Sequence, residues 1–137
     1  MTRLLIIDDE VQKAQPLIRY FQEICEWNVD IANGPDRALE FLPVGDRCPF
    51  DVIILDVMMD PGKVIPRESS NGGRDTGLRL VEIIVNRFTA KVNVIVYSAR
   101  TDLDWMNADA RIAAYVQKPS SVRDIAKEIK NLLERAS

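Results

Sequence analysis

The sequence predicts a doubly wound α/β fold, in which a five-stranded parallel sheet of order 2-1-3-4-5 is flanked by five helices. Two observations carry this expectation. Short, continuously apolar runs alternate along the chain with stretches whose apolar residues recur every three or four positions. The apolar runs stop abruptly at an acid, a hydroxyl or a lysine, the pattern of strands buried on both faces. A length of 137 residues suits one domain, expected to span 1–137, and is too short for two.

Each element follows in turn. Leu4-Leu5-Ile6-Ile7 is the first strand and runs into Asp8-Asp9. From Val11 to Cys25 the apolar positions (Val11, Ala14, Leu17, Ile18, Phe21, Ile24, Cys25) step by three and four, the stripe of an amphipathic helix. Trp27, Val29 and Ile31 alternate with Asn28 and Asp30, a second strand with one wetter face. Asn33-Gly34-Pro35-Asp36 turns into a second helix, with Pro35 suited to its first turn and Ala38, Leu39, Phe41 and Leu42 on its apolar side. Val52-Ile53-Ile54-Leu55 is the third strand and ends at Asp56. Leu78 to Val85 belong to a third helix, Val92 to Tyr97 to a fourth strand stopping at Ser98, and a weaker fourth helix is expected around Leu103 to Ile112. Ala114-Tyr115-Val116-Gln117 is a short fifth strand, ended by Lys118-Pro119. Ser120 or Ser121 is placed to cap a last helix, where Val122, Ile125, Ala126, Ile129, Leu132 and Leu133 repeat at helical spacing. The first, third and fourth strands are the most apolar and belong at the centre; the second and fifth belong at the edges. The order 2-1-3-4-5 meets this with right-handed crossovers and opens a crevice between strands one and three at their carboxyl ends.

Composition removes several kinds of chemistry. The chain has no histidine, which excludes Ser–His catalysis, histidine metal ligands and a phosphohistidine on this chain. Cys25 and Cys48 are isolated thiols without Cys-x-x-Cys spacing. The net charge of −3 argues against direct nucleic-acid binding. Apolar runs are too short for membrane insertion, and the N-terminal one is cut by Asp8 and Asp9 before it could form a secretory signal. The expected localisation is cytoplasmic.

The strand ends bring chemistry together. Strand one delivers Asp8 and Asp9, strand three Asp56, strand four Ser98 and strand five Lys118. One acid at a strand end is usually a helix cap or a solvated side chain. Three acids converging with a lysine and a hydroxyl are a site, because each like-charged pair at 4 Å costs about 4 kcal/mol at an effective dielectric near 20. A divalent cation relieves that repulsion, and an open site of hard oxygen donors suits Mg2+. An ammonium and a hydroxyl across from a cation form a receptor for a phosphoryl group, with Asp56 on the central strand placed to accept it.

Taken together, Leu4-Leu5-Ile6-Ile7-Asp8-Asp9-Glu10, Val52-Ile53-Ile54-Leu55-Asp56-Val57-Met58-Met59, Val96-Tyr97-Ser98-Ala99 and Tyr115-Val116-Gln117-Lys118-Pro119 resemble a response-regulator receiver domain, flavodoxin-like in fold, over essentially the whole length. The resemblance implies two-component signalling rather than enzymatic turnover of an external substrate. Asp56 is then the phosphoacceptor, served by a sensor histidine kinase or phosphotransfer protein. Asp9 and Asp56 hold Mg2+ directly, Asp8 holds it through water, and the backbone carbonyl of Met58 completes the set. Lys118 pairs with the phosphoryl oxygens, Ser98 hydrogen-bonds them, and Tyr115 is the rotating aromatic of the switch. Output is expected through helix 4, strand 5 and helix 5 to a downstream protein, with Trp105 and Met106 as an apolar anchor or as core; a homodimer is left open.

The sequence departs from the family pattern in places. Ser98 stands where threonine is commoner, and Ala108 to Ala114 lacks the usual Gly-Ala before strand five. The segment from about 57 to 76 is about twice the family's usual length between phosphoacceptor and third helix. Within it, Met58 to Gly62 reads as a turn and Ser69 to Gly73 as a flexible tip, either a tolerated insertion or a partner-specific or site-covering loop. Met58 and Arg100, each two residues past a site residue, are placed to limit water access to the acceptor, Arg100 by reaching phosphoryl oxygens or else pointing to solvent.

The alternatives are a receiver-like scaffold acting without phosphorylation, against which the intact acid, hydroxyl and lysine set argues, and two others. An aspartate-based phosphohydrolase needs a second acid two residues beyond its strand-one nucleophile, whereas Glu10 adjoins Asp9. A flavin-mononucleotide carrier needs a hydroxyl-rich loop where Asp8-Asp9-Glu10 would repel phosphate.

Overall fold

Five strands pair in parallel: β1 (Arg3–Ile7), β2 (Asn28–Ala32), β3 (Val52–Leu55), β4 (Val94–Ser98) and β5 (Ala114–Gln117). Their order is β2-β1-β3-β4-β5, as the apolar runs predict. The computed structural model describes residues 1–136. Four α-helices cover the sheet: α1 (Gln15–Glu23), α2 (Pro35–Glu40), α3 (Thr76–Arg87) and α4 (Val122–Ala136).

Alternation along the strands builds two cores. Leu5, Ile7, Ile53, Leu55, Val94 and Val96 point to one face and pack with Leu80, Val81 and Ile84 of α3. Leu4, Ile6, Val52, Ile54 and Ile95 point to the other and meet Leu17, Ile18 and Phe21 of α1 and Ile125, Ala126 and Ile129 of α4. Each such aliphatic side chain contributes roughly 1.5–3 kcal/mol on full burial. β2 and β5, at the edges, keep mostly half-exposed side chains.

The fourth helix is not α-helical, so there are four α-helices where five were expected. Only a 3-10 turn forms, over Asp104–Ala108. The segment buries Leu103, Met106 and Ile112, too sparse a set for a helical stripe. Its acids bond locally instead: Asp109 Oδ1 accepts the Arg111 amide at 2.9 Å, an alternative to helical hydrogen bonding. Trp105 is 52% exposed, whereas Met106 belongs to the core. The first helix is also shorter than its apolar stripe. Glu10 to Ala14 form successive turns, and Pro16, without an N–H, sits in the first turn of α1. At α4, Ser121 supplies the cap, its Oγ accepting the Asp124 amide at 3.1 Å.

The long segment between β3 and α3 is packed onto the domain. Met59 and Ile65 are buried in the α3-side core. The expected flexible tip at Ser69–Gly73 is instead a set of hydrogen-bonded turns. Ser70 is fully buried, donates to the Arg67 carbonyl at 3.1 Å and accepts the Gly73 amide at 3.2 Å. The buried Thr76 hydroxyl donates to the Met59 carbonyl at 2.6 Å, closing the base of the segment. The carboxylate of Asp36, at the start of α2, accepts the amides of Lys63 (2.9 Å) and Val64 (3.0 Å) and pins the middle. Among the described residues no helix is long and apolar enough to cross a membrane.

Candidate functional site

The register sets the site. Ile7 pairs with Leu55, so β1 and β3 end side by side and deliver Asp8 and Asp56 together. The ladder continues one step past the strands: the Asp8 amide donates to the Ala32 carbonyl at 3.0 Å and the Asp56 amide to Ile7 at 3.1 Å. Ser98 pairs with Gln117, and the Lys118 amide donates to the Ser98 carbonyl at 2.8 Å. Lys118 is thereby aimed across the carboxyl edge, and its peptide bond to Pro119 is cis.

Lys118 Nζ lies 3.3 Å from Asp8 Oδ2 and 3.1 Å from Asp56 Oδ2, so one ammonium serves two carboxylates. The other oxygens are held by backbone: Asp8 Oδ1 accepts the Glu10 amide at 2.9 Å and Asp56 Oδ1 the Val57 amide at 2.7 Å. Burial raises the Asp8 pKa, the Asp56 charge adds to this, and the Glu10 amide and Lys118 offset only part of it. Burial alone would lower the Lys118 pKa, but the charges of Asp56 and Asp8 and the hydrogen bonds to both hold it above its usual value. The Lys118 ammonium also sits 5.0 Å from the Tyr97 ring centroid.

Asp9 is exposed and turns elsewhere, its Oδ2 accepting the Asp60 amide at 3.3 Å. Among the described residues no three acidic, thiol or imidazole side chains group closely enough to cage a metal ion. The donor set nonetheless fits Mg2+, which keeps several waters and takes one or two carboxylates: Asp8 and Asp56 present only hard oxygens and share one neutralising lysine. Met58, two residues past Asp56, exposes 47% of its surface. A cleft of about 300 Å³ reaches Asp8, Asp56 and Lys118 between α1 and the β5–α4 turn. A larger one of about 790 Å³ lies near Arg47, Asp51 and Lys91 and contains none of these groups, so size does not identify the site.

Ser98 is buried, and its Oγ accepts the Arg100 amide at 3.4 Å. The Tyr115 hydroxyl donates to the Arg100 carbonyl at 2.6 Å, and burial, followed by the charges of Asp104 and Asp102, raises its pKa. Arg100 does not point to solvent. Its guanidinium binds Asp75 Oδ1 at 2.6 Å and forks onto Asp102 at 2.8 and 2.6 Å. The hydrogen bonds it donates to Asp102, and then to Asp75, raise its pKa against burial. Asp75 and Asp102 were not among the sequence candidates, and Asp75 lies 25 residues from Arg100, beyond any local pattern.

No protein-family model matches the chain. The transcriptional regulatory protein ResD of Bacillus subtilis (strain 168) is 26% identical over 136 residues, covering 99% of this chain and 50% of that protein. The chain thus spans about half the length of the curated relative it matches. Among solved structures, the receiver domain of Francisella response regulator 1452 has a TM-score of 0.75 and 22% identity over the whole of both chains. A two-component response regulator from Clostridium difficile has a TM-score of 0.74 and 22% identity, covering 100% of this chain and 99% of that one. The response regulator TrrA from Thermotoga maritima, solved in complex with Mg(2+)-BeF, has a TM-score of 0.69 and 20% identity, covering 96% and 99%. Over its whole length, this chain has the fold of the response-regulator receiver domains it is similar to.

Proposed function

We propose that the chain is a phosphorylation-dependent signalling switch with Asp56 as acceptor. The observation that carries this reading is the Lys118 ammonium shared by Asp8 and Asp56 at the sheet's carboxyl edge. A carboxylate oxygen of Asp56 attacks the phosphorus of a phosphohistidine on a sensor histidine kinase or phosphotransfer protein. The new O–P bond forms as the N–P bond to imidazole breaks, and the freed imidazole takes a proton from solvent. Lys118 answers the charge on the phosphoryl oxygens, and the Ser98 hydroxyl donates to one of them. Asp9 and Asp56 directly, Asp8 through water and the Met58 carbonyl are the groups that would hold Mg2+, Asp9 on leaving the Asp60 amide, and the ion would neutralise charge between carboxylates and phosphoryl oxygens.

Once Ser98 is drawn toward the phosphoryl group, Tyr115 leaves the Arg100 carbonyl. The face made by the 3-10 turn, β5 and α4 changes, and a downstream protein that reads this face receives the signal. Water slowly returns the group as phosphate. Mass spectrometry after incubation with acetyl phosphate and Mg2+ tests the reading. The protein gains one phosphoryl mass and Asp56→Asn gains none; an adduct retained by Asp56→Asn overturns the assignment.

A further inference from the structure

Arg100 hydrogen-bonds to three parts of the molecule. Through Nη1 it binds Asp75 Oδ1 at 2.6 Å and the Arg74 carbonyl at 3.0 Å, both at the end of the long segment after β3. Its amide reaches the Ser98 hydroxyl at 3.4 Å. Its carbonyl accepts the Tyr115 hydroxyl at 2.6 Å. We propose that Arg100 is a positioning residue that clamps the loop after β4 to the 57–76 segment and so holds the Ser98–Tyr115 switch in its resting arrangement.

The clamp is more than a surface ion pair. The Arg100 side chain is only 10% exposed and Asp75 28%, so solvent screens that contact less than it screens the outer pair with Asp102, which is 51% exposed. The planar fork on Asp102 fixes the guanidinium's orientation, and Arg74 adds a second, longer tie from the segment to Asp102 at 3.7 Å. The Tyr115 hydroxyl has the main chain of this same anchored residue as its acceptor. Moving Ser98 toward Asp56 therefore pulls on Arg100, and Arg100 is tied to a segment packed into the core through Ile65 and Met59. A contact made only in the resting arrangement lowers the population of the other arrangement and so the apparent affinity of a ligand that selects it, and releasing the contact raises that apparent affinity. Anything that displaces the segment, such as a protein docking on it, is thus coupled to phosphorylation at Asp56.

The inference rests on Asp56 being the phosphoacceptor, and the test separates the two. Beryllofluoride affinity in the presence of Mg2+ is measured for the full chain, Asp75→Asn, Arg100→Lys, Tyr115→Phe and the Asp75→Asn/Tyr115→Phe pair, each checked for cooperative unfolding. Asp75→Asn, nearly isosteric, is expected to tighten binding about fivefold, the low end of ordinary couplings. Arg100→Lys, which keeps the charge but loses the fork, is expected to fall between. The double variant is expected to be non-additive, because both changes release one residue. A structural role alone would lower the melting temperature without tightening beryllofluoride binding. Equal affinity in wild type and Asp75→Asn, or additive effects in the pair, overturns the clamp. No beryllofluoride uptake by the wild type overturns the phosphoacceptor reading and the clamp with it.

Discussion

Gly77 lies against Asp56: a Cβ on Gly77 would stand 2.4 Å from the Asp56 carbonyl oxygen and 2.6 Å from Val57 Cα. Both neighbours are backbone, so no side chain can swing aside. The Gly77 amide donates to the Val57 carbonyl at 2.8 Å, which draws the first turn of α3 onto the end of β3. Gly77→Ala is therefore expected to cost about 1–3 kcal/mol in urea unfolding, the usual cost of overpacking. It should also displace Asp56 and slow its modification by acetyl phosphate. Stability within about 0.5 kcal/mol of wild type, the range of neutral surface changes, would show that α3 can retreat freely.

Lys118 makes the site's stability depend on pH. Its pKa is raised by Asp56 and Asp8 against burial, so its contribution is complete below its unfolded value of 10.5 and is lost only as pH rises through the higher folded value. Asp8, raised mainly by burial, is favoured by the fold in its protonated form, so its contribution is lost as pH rises from 3.8 through its folded value. Lys118→Met leaves Asp8 and Asp56 facing each other. Without divalent cation it is expected to lose roughly 3 kcal/mol at pH 7, the low end for breaking a buried pair, since the site opens to solvent. The deficit should shrink as acid protonates Asp8. Urea titrations at several pH values check this, and a deficit that stays constant with pH would place its origin in packing rather than charge.

The parallel sheet and the meeting of Asp8, Asp56 and Lys118 were legible because they follow from strand ends and strand order. The apolar runs at β1, β3 and β4 fix which residues come next, and parallel register brings them to one edge. A serine cap, Ser120 or Ser121, was legible for the same local reason, and Ser121 supplies it. The fourth helix was misread because Leu103, Met106 and Ile112 mark buried positions without marking a continuous stripe. Ser69 to Gly73 carry turn residues, which read alike whether the turn is free or, as around Ser70, buried. The Arg100 partners and the Gly77 contact depend on loops that meet only in the folded chain.

Asp36 is expected to hold the long segment from outside. Its carboxylate accepts two consecutive amides, and a Cβ on Gly62 would come within 2.7 Å of it, so this turn closes only around a glycine, here at φ 65°. Asp36→Ala should cost about 1–2 kcal/mol, given that hydrogen bonds to a charged group contribute modestly when exposed. The local effect should exceed the global one: trypsin should cut after Lys63 and Arg67 faster than in wild type. Equal cleavage rates would mean that Ile65 and Ser70 hold the segment unaided.

Met58 is expected to control the lifetime of the phosphorylated state. Hydrolysis requires a water in line with the bond from Asp56 to phosphorus, and neighbouring side chains decide whether that water is held. Met58 is two residues past the acceptor and about half exposed, while Met59 beside it is buried, so the pair splits between the site's surroundings and the core. A thioether is a poor hydrogen-bond partner for water. Arg100 has its guanidinium on Asp75 and Asp102 and is not free to close the entrance, so the water-limiting role falls to Met58 alone. Met58→Asn adds an amide that can orient the water. A net hydrogen bond contributes about 0.5–1.5 kcal/mol, so phosphate release should quicken roughly two- to tenfold. The measurement is phosphate release after a pulse of acetyl phosphate, with Asp56 occupancy followed by mass. A rate that is unchanged or slower in Met58→Asn would show that access is set elsewhere.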